Sequence, residues 1–169
     1  QDPMDLAIGP DGRLYIADDE NHSIRCVDRQ GNVTTVAGRP WEDDEERESI
    51  DGDVTVARFN YPTAVAVASD GTIYVGESKR VRQIRAGVVS TVCECEGGAY
   101  GLFLDEREGL LYFNDGNRIR TVVVGSALQH LLERVPQRGG AACSERKGDR
   151  RARPARPTQS RRGARPREA

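Results

Sequence analysis

Histidine and cysteine, the side chains that most often bind transition metals, are scarce in this sequence of 169 residues. The two histidines, His22 and His130, stand far apart. Cys93 and Cys95 are a weak zinc signal, because no second cysteine pair and no histidine stands near them. We therefore expect no metal site and no cofactor. Ordinary thiols are expected, with a disulfide as the alternative.

Long apolar runs are also missing. No stretch approaches the about 20 residues that an α-helix needs to cross a bilayer, and hydrophobic residues make up only 37% of the chain. We therefore expect no transmembrane segment. The sequence starts at Gln1 rather than at methionine, which predicts a processed or partial chain and leaves the compartment unknown.

Aromatic residues are absent from the C-terminal part, where the charge also changes sign. Residues 134–169 hold 12 basic and three acidic residues (net +9), whereas residues 1–133 hold 13 basic and 24 acidic residues (net −11). A segment rich in Arg, Pro, Gly and Ala cannot bury enough apolar surface to offset the entropy lost on ordering. We expect residues 134–169 to be a disordered tail, either a low-complexity extension or an electrostatic contact for nucleic acid or an anionic membrane.

What the sequence does contain is one pattern written three times. The copies are PDGRLYIADDENHSIRCVDRQGNVTTV at 10–36, SDGTIYVGESKRVRQIRAGVVSTV at 69–92 and EGLLYFNDGNRIRTVVV at 108–124. They align on Tyr15, Tyr74 and Tyr112, and the first two share an Asp-Gly pair at Asp11-Gly12 and Asp70-Gly71. Unequal copies of this length are typical of solenoids and propellers.

Each copy has the pattern of a four-stranded antiparallel meander. In the second copy, four apolar stretches within residues 63–93 are separated by turns at Asp70-Gly71, residues 78–80 and Ala86-Gly87. Four short strands per repeat is the content of one propeller blade, and blades stack because each covers a neighbour's apolar face. The sequence therefore predicts an all-β partial propeller of four-stranded antiparallel blades over residues 1–133.

The repeats resemble those of the NHL-repeat β-propeller family, whose units commonly read P-x-G-[IV]-A-V-x-x-D-G-x-[IL]-Y-V-A-D-x-x-N-H-R-I-R. Asn21-His22 and Ile24 match the part of the motif that names the repeat, and the connection through Asp51-Gly52 and residues 57–62 resembles the link between such blades. The resemblance covers residues 3–124. It implies a propeller of about six blades, of which this chain supplies two to three, and no obligate oligomer is predicted.

Charged residues recur at fixed positions in the three copies. An acid follows each tyrosine by three residues and an arginine stands in each predicted third strand: Asp18, Glu77 and Asp115, and Arg25, Arg82 and Arg120. The acids either form a ring of carboxylates for a ligand or accept backbone N–H groups in the turns that follow them. The arginines either present a cationic stripe to a partner or pair with the acids. Recurrence favours the structural alternatives, since a catalytic site needs unlike residues that converge.

The connection between the first two copies, residues 39–61, is an acidic insertion. Its segment WEDDEERESIDGD, residues 41–53, holds eight acids without the spacing of an EF-hand loop, and we interpret it as a solvated flexible loop. Trp41, the only tryptophan, either anchors this loop or marks a contact surface.

The repeat pattern of the third copy does not continue after Gly125. The segment SALQHLLERV, residues 126–135, is compatible either with a short capping helix or with the fourth strand of the repeat.

Two functions are compatible with these observations. The NHL resemblance implies a non-enzymatic binding or scaffold module, with a protein as the preferred partner. The predicted binding residues are Trp41, Arg25, Arg82 and Arg120. The alternative is part of a six-bladed hydrolase or lyase with a central metal. No catalytic residue is predicted, because no unlike set of Glu, Asn, Asp or His residues stands out.

Overall fold

The computed structural model describes residues 2–42 and 48–124, and all regular structure in these residues is β-strand. The first sheet comprises β1 (Pro3–Ile8), β2 (Leu14–Asp18), β3 (Ser23–Val27) and β4 (Val33–Gly38). The second comprises β5 (Gly52–Asp53), β6 (Ala64–Val67), β7 (Ile73–Gly76), β8 (Arg80–Arg85) and β9 (Val88–Glu94). The third comprises β10 (Leu102–Asp105), β11 (Leu110–Asp115) and β12 (Arg118–Val123).

These sheets are propeller blades, and the prediction of an all-β partial propeller is confirmed. Antiparallel pairing in chain order makes β1 to β4 blade 1, β6 to β9 blade 2 and β10 to β12 blade 3. Strand β5 comes from the connection between blades 1 and 2 and pairs with β9 through Gly52 and Val89. The sequence pattern does not predict β5, since a strand of two residues shows no alternation.

The predicted Asp-Gly pairs form the first hairpin turn of blades 1 and 2. Gly12 and Gly71 have φ angles of 74° and 84°, in the left-handed region that glycine adopts without steric cost. Asp11 and Asp70 each accept a hydrogen bond from the backbone N–H two residues ahead, at 3.0 and 2.9 Å. Local chemistry therefore fixes these turns.

Each blade has two chemically different faces, because successive residues of a strand point to opposite sides of the sheet. We call the face that carries the repeated tyrosine the tyrosine face, and the one that carries the repeated arginine the arginine face. In blade 1, Tyr15 pairs with Ala7, and the next residue, Ile16, pairs with Arg25. Blades 2 and 3 keep the same register.

The blades stack with the tyrosine face of one against the arginine face of the next. Between blades 1 and 2 the core contains Ala17, Ile24 and Ala37 from the first, and Val65, Ile73, Val75, Ile84 and Val89 from the second. Between blades 2 and 3 it contains Tyr74 and Val81 from the second, and Leu111, Phe113 and Val122 from the third. Stacking removes from water the apolar faces that an isolated blade would expose, which accounts for the repetition in the sequence.

Two blade faces are not covered by the described residues. On the arginine face of blade 1, Met4, Leu6 and Ile8 are 55%, 62% and 74% exposed. On the tyrosine face of blade 3, Phe103 and Ile119 are 66% and 65% exposed. Exposed apolar side chains grouped on one surface mark an interaction site.

Blades 1 and 2 share an irregularity between their third and fourth strands. The pairing register shifts between Ile24 and Arg25 in blade 1, and between Val81 and Arg82 in blade 2. The extra residue is Val36 in blade 1 and Val92 in blade 2, so the β-bulge bends the fourth strand opposite the repeated arginine.

Residues 43–47 of the acidic insertion lie outside the described residues, and so do residues 125–169, which contain the segment 126–135 and the basic tail 134–169. The boundary at residue 133 and the contact of the tail with nucleic acid stay predictions. Within the described part of the chain, no helix is long and apolar enough to span a membrane. The three cysteines that the structure describes form no disulfide.

Candidate functional site

The repeated acid and arginine of blade 2 form an ion pair inside the protein. Glu77 directly follows β7, and its Oε1 lies 3.0 Å from Nη1 of Arg82 on β8, with both side chains fully buried. Burial raises the pKa of Glu77, and the positive charge of Arg82 opposes that rise. The predicted pairing of acid and arginine is confirmed in this blade.

Arg82 also binds the connection that leads into blade 2. Its guanidinium donates hydrogen bonds to the carbonyl oxygens of Ile50 (2.9 Å) and Arg58 (3.2 Å) and to the carboxylate of Asp51. It lies over the ring of Phe59, 5.4 Å from the centroid. The five N–H donors of an arginine, held in a planar fork, allow these contacts at once, and a lysine could not reproduce them.

Two carboxylates complete this group, and we call Asp51, Glu77 and Arg82 the connection clasp. Glu77 accepts a hydrogen bond from the N–H of Asn60 (2.8 Å), and Asp51 accepts one from the N–H of Thr91 on β9 (2.9 Å). Burial alone would raise the pKa of Asp51, but the Thr91 hydrogen bond and the Arg82 charge outweigh it and hold the pKa below its ordinary value. Asp51 keeps 48% of its side chain exposed, and its bonds to Arg82 and Thr91 fix this part of the acidic insertion in place.

Blade 3 repeats the arrangement. Arg120 Nη1 lies 2.7 Å from Asp115 Oδ2 and donates to the carbonyl oxygen of Glu94 at 2.9 Å, while Asp115 accepts a hydrogen bond from the N–H of Gly97. The prediction that the repeated acids cap the turn that follows them is wrong for Glu77 and Asp115. Their backbone donors belong to the connection before the blade, so each pair ties a blade to the chain that enters it.

In blade 1 the equivalent pair is looser. Arg25 Nε lies 3.9 Å from Asp18 Oδ2, and the two side chains are 34% and 13% exposed. Asp18 accepts from the side-chain amide of Asn21 at 2.9 Å. Use of the three arginines by a partner stays a prediction. Arg82 has no exposed surface to offer, which leaves Arg25 as the most accessible of them.

Trp41 lies at the seam between blades 1 and 2. Its Nε1 donates to the carbonyl oxygen of Phe59 (3.2 Å), and its ring meets that of His22 edge to face, with centroids 6.0 Å apart. The His22 ring also meets Tyr61 edge to face at 4.6 Å, and its Nδ1 accepts a hydrogen bond from the N–H of Tyr61 (3.2 Å). We call His22, Trp41 and Tyr61 the aromatic seam.

The backbone of the aromatic seam is strained. His22 and Tyr61 have φ angles of 48° and 54°, in the left-handed region that residues with a side chain rarely adopt. Such strain persists only where surrounding contacts impose it. Sequence reasoning found His22 and Trp41 but missed Tyr61, whose only signal is its place before Pro62, where the backbone is restricted.

The stacked blades and the repeated pairs can now be compared with known proteins. The family model described as NHL repeat matches residues 1–27, the first three strands of blade 1. The same strand order then recurs in blades 2 and 3. The match to an NHL repeat thus covers blade 1, and the chain resembles NHL-repeat β-propellers in the strand order of the blades that follow.

Curated relatives of this NHL-repeat chain include two teneurins. It is 33% identical to Teneurin-3 of Mus musculus in an alignment of 91 residues that covers 48% of this chain and 3% of that protein. It is 31% identical to Teneurin-m of Drosophila melanogaster in an alignment of 100 residues that covers 52% of this chain and 4% of that protein. The chain thus spans only a few hundredths of the length of these relatives.

Solved structures share the fold of the NHL blades. A protein of unknown function from Bacteroides thetaiotaomicron has a TM-score of 0.56 and 22% identity. Their alignment covers 66% of this chain and 32% of that chain. A virginiamycin B lyase from Staphylococcus aureus with quinupristin has a TM-score of 0.52 and 17% identity, with coverage of 74% and 39%. At such identities the likeness shows the fold alone.

The repeated acid and arginine of blades 2 and 3 act as internal cross-links. Glu77, Arg82, Asp115 and Arg120 hold connections and each other. Over residues 2–42 and 48–124, no three His, Cys, Asp or Glu side chains are grouped closely enough to hold a metal ion. Trp41 and Arg25 both keep part of their side chains exposed.

The ion pair of Asp115 and Arg120 in blade 3 makes the stability of the protein depend on pH. Burial alone would raise its pKa, but the hydrogen bonds from Gly97 and Arg120 outweigh it and hold the pKa below its ordinary value. A carboxyl with a lowered folded-state pKa contributes stability that is complete above its ordinary value and is lost as the pH falls through the folded value. We expect Asp115→Asn to flatten part of the fall in Tm below about pH 4, measured by circular dichroism. The exposed Glu20→Gln serves as control, and an Asp115→Asn curve parallel to wild type would contradict the assignment.

Proposed function

We propose that the NHL-repeat chain is a non-enzymatic binding module for a protein partner, which docks on the aromatic seam. The observation that carries the proposal is a half-buried Trp41 indole fixed by its hydrogen bond to Phe59 and its edge contact with His22. A tryptophan that is already ordered loses little entropy on binding and offers a large apolar area, which is why tryptophan is enriched among residues that dominate binding energy.

Backbone strain supports the same surface. His22 and Tyr61 hold left-handed conformations side by side, joined by the hydrogen bond from Tyr61 N–H to His22 Nδ1. Residues held in such conformations cluster at ligand-binding and functional sites. The hydrogen bond fixes the relative position of two blades and so presents the seam as a preformed surface.

Charge indicates the kind of protein that fits. Residues 1–133 carry a net charge of −11 from 13 basic and 24 acidic residues. Glu42, directly after Trp41, keeps 73% of its side chain exposed. An acidic surface steers basic partners toward it and accelerates their association at low salt. Arg25, three positions after His22 in the chain and 34% exposed, supplies a contrasting charge on blade 1.

A selected peptide tests the proposal. Peptides enriched from a phage-displayed library on the immobilised chain are titrated by fluorescence anisotropy against wild type, Trp41→Ala and Val88→Ala. Trp41→Ala is expected to weaken Kd about 30-fold, the effect of losing a residue worth about 2 kcal/mol. Val88 is 48% exposed at the start of β9, and its alanine variant should bind as wild type does. Thermal melts verify that both variants are folded.

Selected peptides whose Kd does not change with Trp41→Ala would contradict docking on the aromatic seam. A library that yields no binding peptide would contradict it as well. The enzyme alternative predicts a different result, namely turnover of a panel of lactones and esters that depends on added divalent metal. Turnover that appears with added metal and is lost when a chelator is present would replace the binding proposal.

A further inference from the structure

We propose that Cys93 and Cys95 are a redox-active dithiol, which reduces small-molecule disulfides such as oxidised glutathione and becomes a disulfide itself. Both residues lie where blade 2 leads into blade 3, Cys93 near the end of β9 and Cys95 directly after it. The inference is independent of the proposed function, because the aromatic seam lies between blades 1 and 2.

Strand geometry places the two thiols on one face of blade 2. Cys93 pairs with Val81, whose side chain is buried in the core between blades 2 and 3. Cys95 comes two residues later, so it points to the same side, and its side chain belongs to the same core. The two thiols are in hydrogen-bond contact. A second sulfur therefore stands beside the first, which is what the formation of a disulfide between them requires.

Backbone hydrogen bonds hold the segment that carries the pair. The N–H of Cys95 donates to the carbonyl oxygen of Lys79 at 2.7 Å. The carbonyl oxygen of Glu94, which lies between the two cysteines in the chain, accepts a hydrogen bond from Arg120 Nη1 at 2.9 Å. The thiols are thus brought together by the packing of blade 3 against blade 2, and their reaction with each other benefits from this fixed proximity.

Burial gives the two thiols different roles. The Cys93 side chain is partly exposed, whereas Cys95 is only 8% exposed. The hydrogen bond with Cys93 and burial raise the pKa of the Cys95 thiol, and the negative charge of Asp115 raises it further. Cys95 therefore keeps its proton at neutral pH. Cys93 is the thiol that an external disulfide can reach, and Cys95 is the resolving residue.

The exchange runs in two steps that balance without any further reactant. The Cys93 thiol loses its proton and attacks one sulfur of a disulfide RSSR. The S–S bond breaks, the departing RS⁻ takes up a proton, and a mixed disulfide of Cys93 with RS remains. Cys95 then loses its proton and attacks the Cys93 sulfur, and the second RS⁻ leaves and is protonated. Two electrons pass from the protein to the small molecule, and the products are one protein disulfide and two RSH.

The short spacing of the cysteines makes the protein disulfide easy to reduce again. Residues two apart in a strand have Cα atoms ~6.6 Å apart, near the upper limit of the about 4.4–6.8 Å that disulfides span. Bridging the sulfurs therefore bends the backbone at Glu94 and opposes its hydrogen bond with Arg120. Strained disulfides are more readily reduced, and labile disulfides are typically the regulatory or catalytic ones. The pair is therefore suited to cycle between two states.

Exchange with oxidised glutathione tests the proposal on the full chain with Cys143→Ser, which removes the thiol of the basic tail. After incubation the protein is denatured, its remaining thiols are alkylated, and its tryptic peptides are analysed by mass spectrometry. Residues 86–107 form one tryptic peptide that contains Cys93, Cys95 and no other cysteine. This peptide is expected to lose two hydrogens and to escape alkylation, and excess reduced glutathione is expected to restore both thiols. The buried Cys26 is the internal control and is expected to stay a thiol.

Single substitutions on the same background test the two roles. Cys95→Ser removes the resolving thiol, so glutathione is expected to stay attached to Cys93 as a mixed disulfide. Cys93→Ser leaves only the buried thiol of the pair, and its reaction is expected to be at least about 10-fold slower. Circular dichroism verifies that both variants are folded, and Cys95→Ala replaces Cys95→Ser if the serine variant is unfolded.

Four results would overturn the redox-active dithiol. They are a peptide 86–107 that keeps both thiols, a bridge that excess reduced glutathione does not open, a Cys95 variant that forms no adduct with glutathione, and a Cys93→Ser variant that reacts as fast as the chain with both cysteines.

Discussion

Arg82→Met is expected to lower the free energy of unfolding by about 3–5 kcal/mol, because it leaves the buried carboxylate of Glu77 without its counter-charge. The substitution also removes the donors that bind the carbonyl oxygens of Ile50 and Arg58. Urea denaturation followed by circular dichroism measures the loss. The expected change is in the free energy of unfolding and not in its slope with urea concentration.

The same substitution in blade 1 is the matched control. Arg25 lies 3.9 Å from Asp18 and both side chains keep contact with water, so Arg25→Met is expected to cost less than about 1 kcal/mol. The double variant Glu77→Leu with Arg82→Met is expected to regain part of the loss, since it removes the isolated charge. Equal losses at Arg25 and Arg82 would show that the connection clasp contributes nothing beyond a surface ion pair.

Gly76→Ala is expected to destabilise the protein by about 3 kcal/mol, the upper end of the usual cost of an added methyl group in a packed core. A Cβ at this position would lie 2.1 Å from the carbonyl oxygen of Ala99. That oxygen accepts a hydrogen bond from Thr63 Oγ1 (3.0 Å), and the Ala99 N–H donates to the Glu77 carbonyl (3.1 Å). The connection into blade 3 can therefore not move aside without losing both. Chemical denaturation measures the loss.

Gly71→Ala separates steric conflict from backbone conformation. Gly71 has a φ of 84° and open space around it, so its alanine variant carries only the left-handed cost of about 1–2 kcal/mol. Gly76 has no such conformation, and its cost is one of contact alone. A Gly76→Ala variant as stable as wild type would show that β7 and the connection at Ala99 are not packed at this distance.

Local and periodic features of the blades were predictable from the sequence. The Asp70-Gly71 turn needs only its own backbone geometry and one side-chain hydrogen bond. The pairing of Glu77 with Arg82 follows from a fixed spacing of five residues that recurs at Asp115 and Arg120. Such signals can be recognised in a single sequence because all the partners lie within one repeat.

Contacts between distant segments were not predictable. Tyr61 and His22 are separated by 39 positions, and Asp51 and Arg82 by 31, and neither pair follows a strand period. Asp51 stands in a run of acids that composition alone assigns to solvent. Only the folded connection shows that this one carboxylate binds Arg82 and the backbone of Thr91. The exposure of Leu6 and Ile119 was not predictable either, because buried residues at the equivalent positions of other blades are of similar type.

The difference between the two faces of each blade gives the molecule a polarity along its chain. During synthesis on the ribosome, every completed blade would expose its apolar tyrosine face to water until the following blade is made. Chaperones that shield such surfaces would have to dissociate in step with translation. A pause in translation once β9 has left the ribosome should therefore increase aggregation more than a pause while β9 is still inside it.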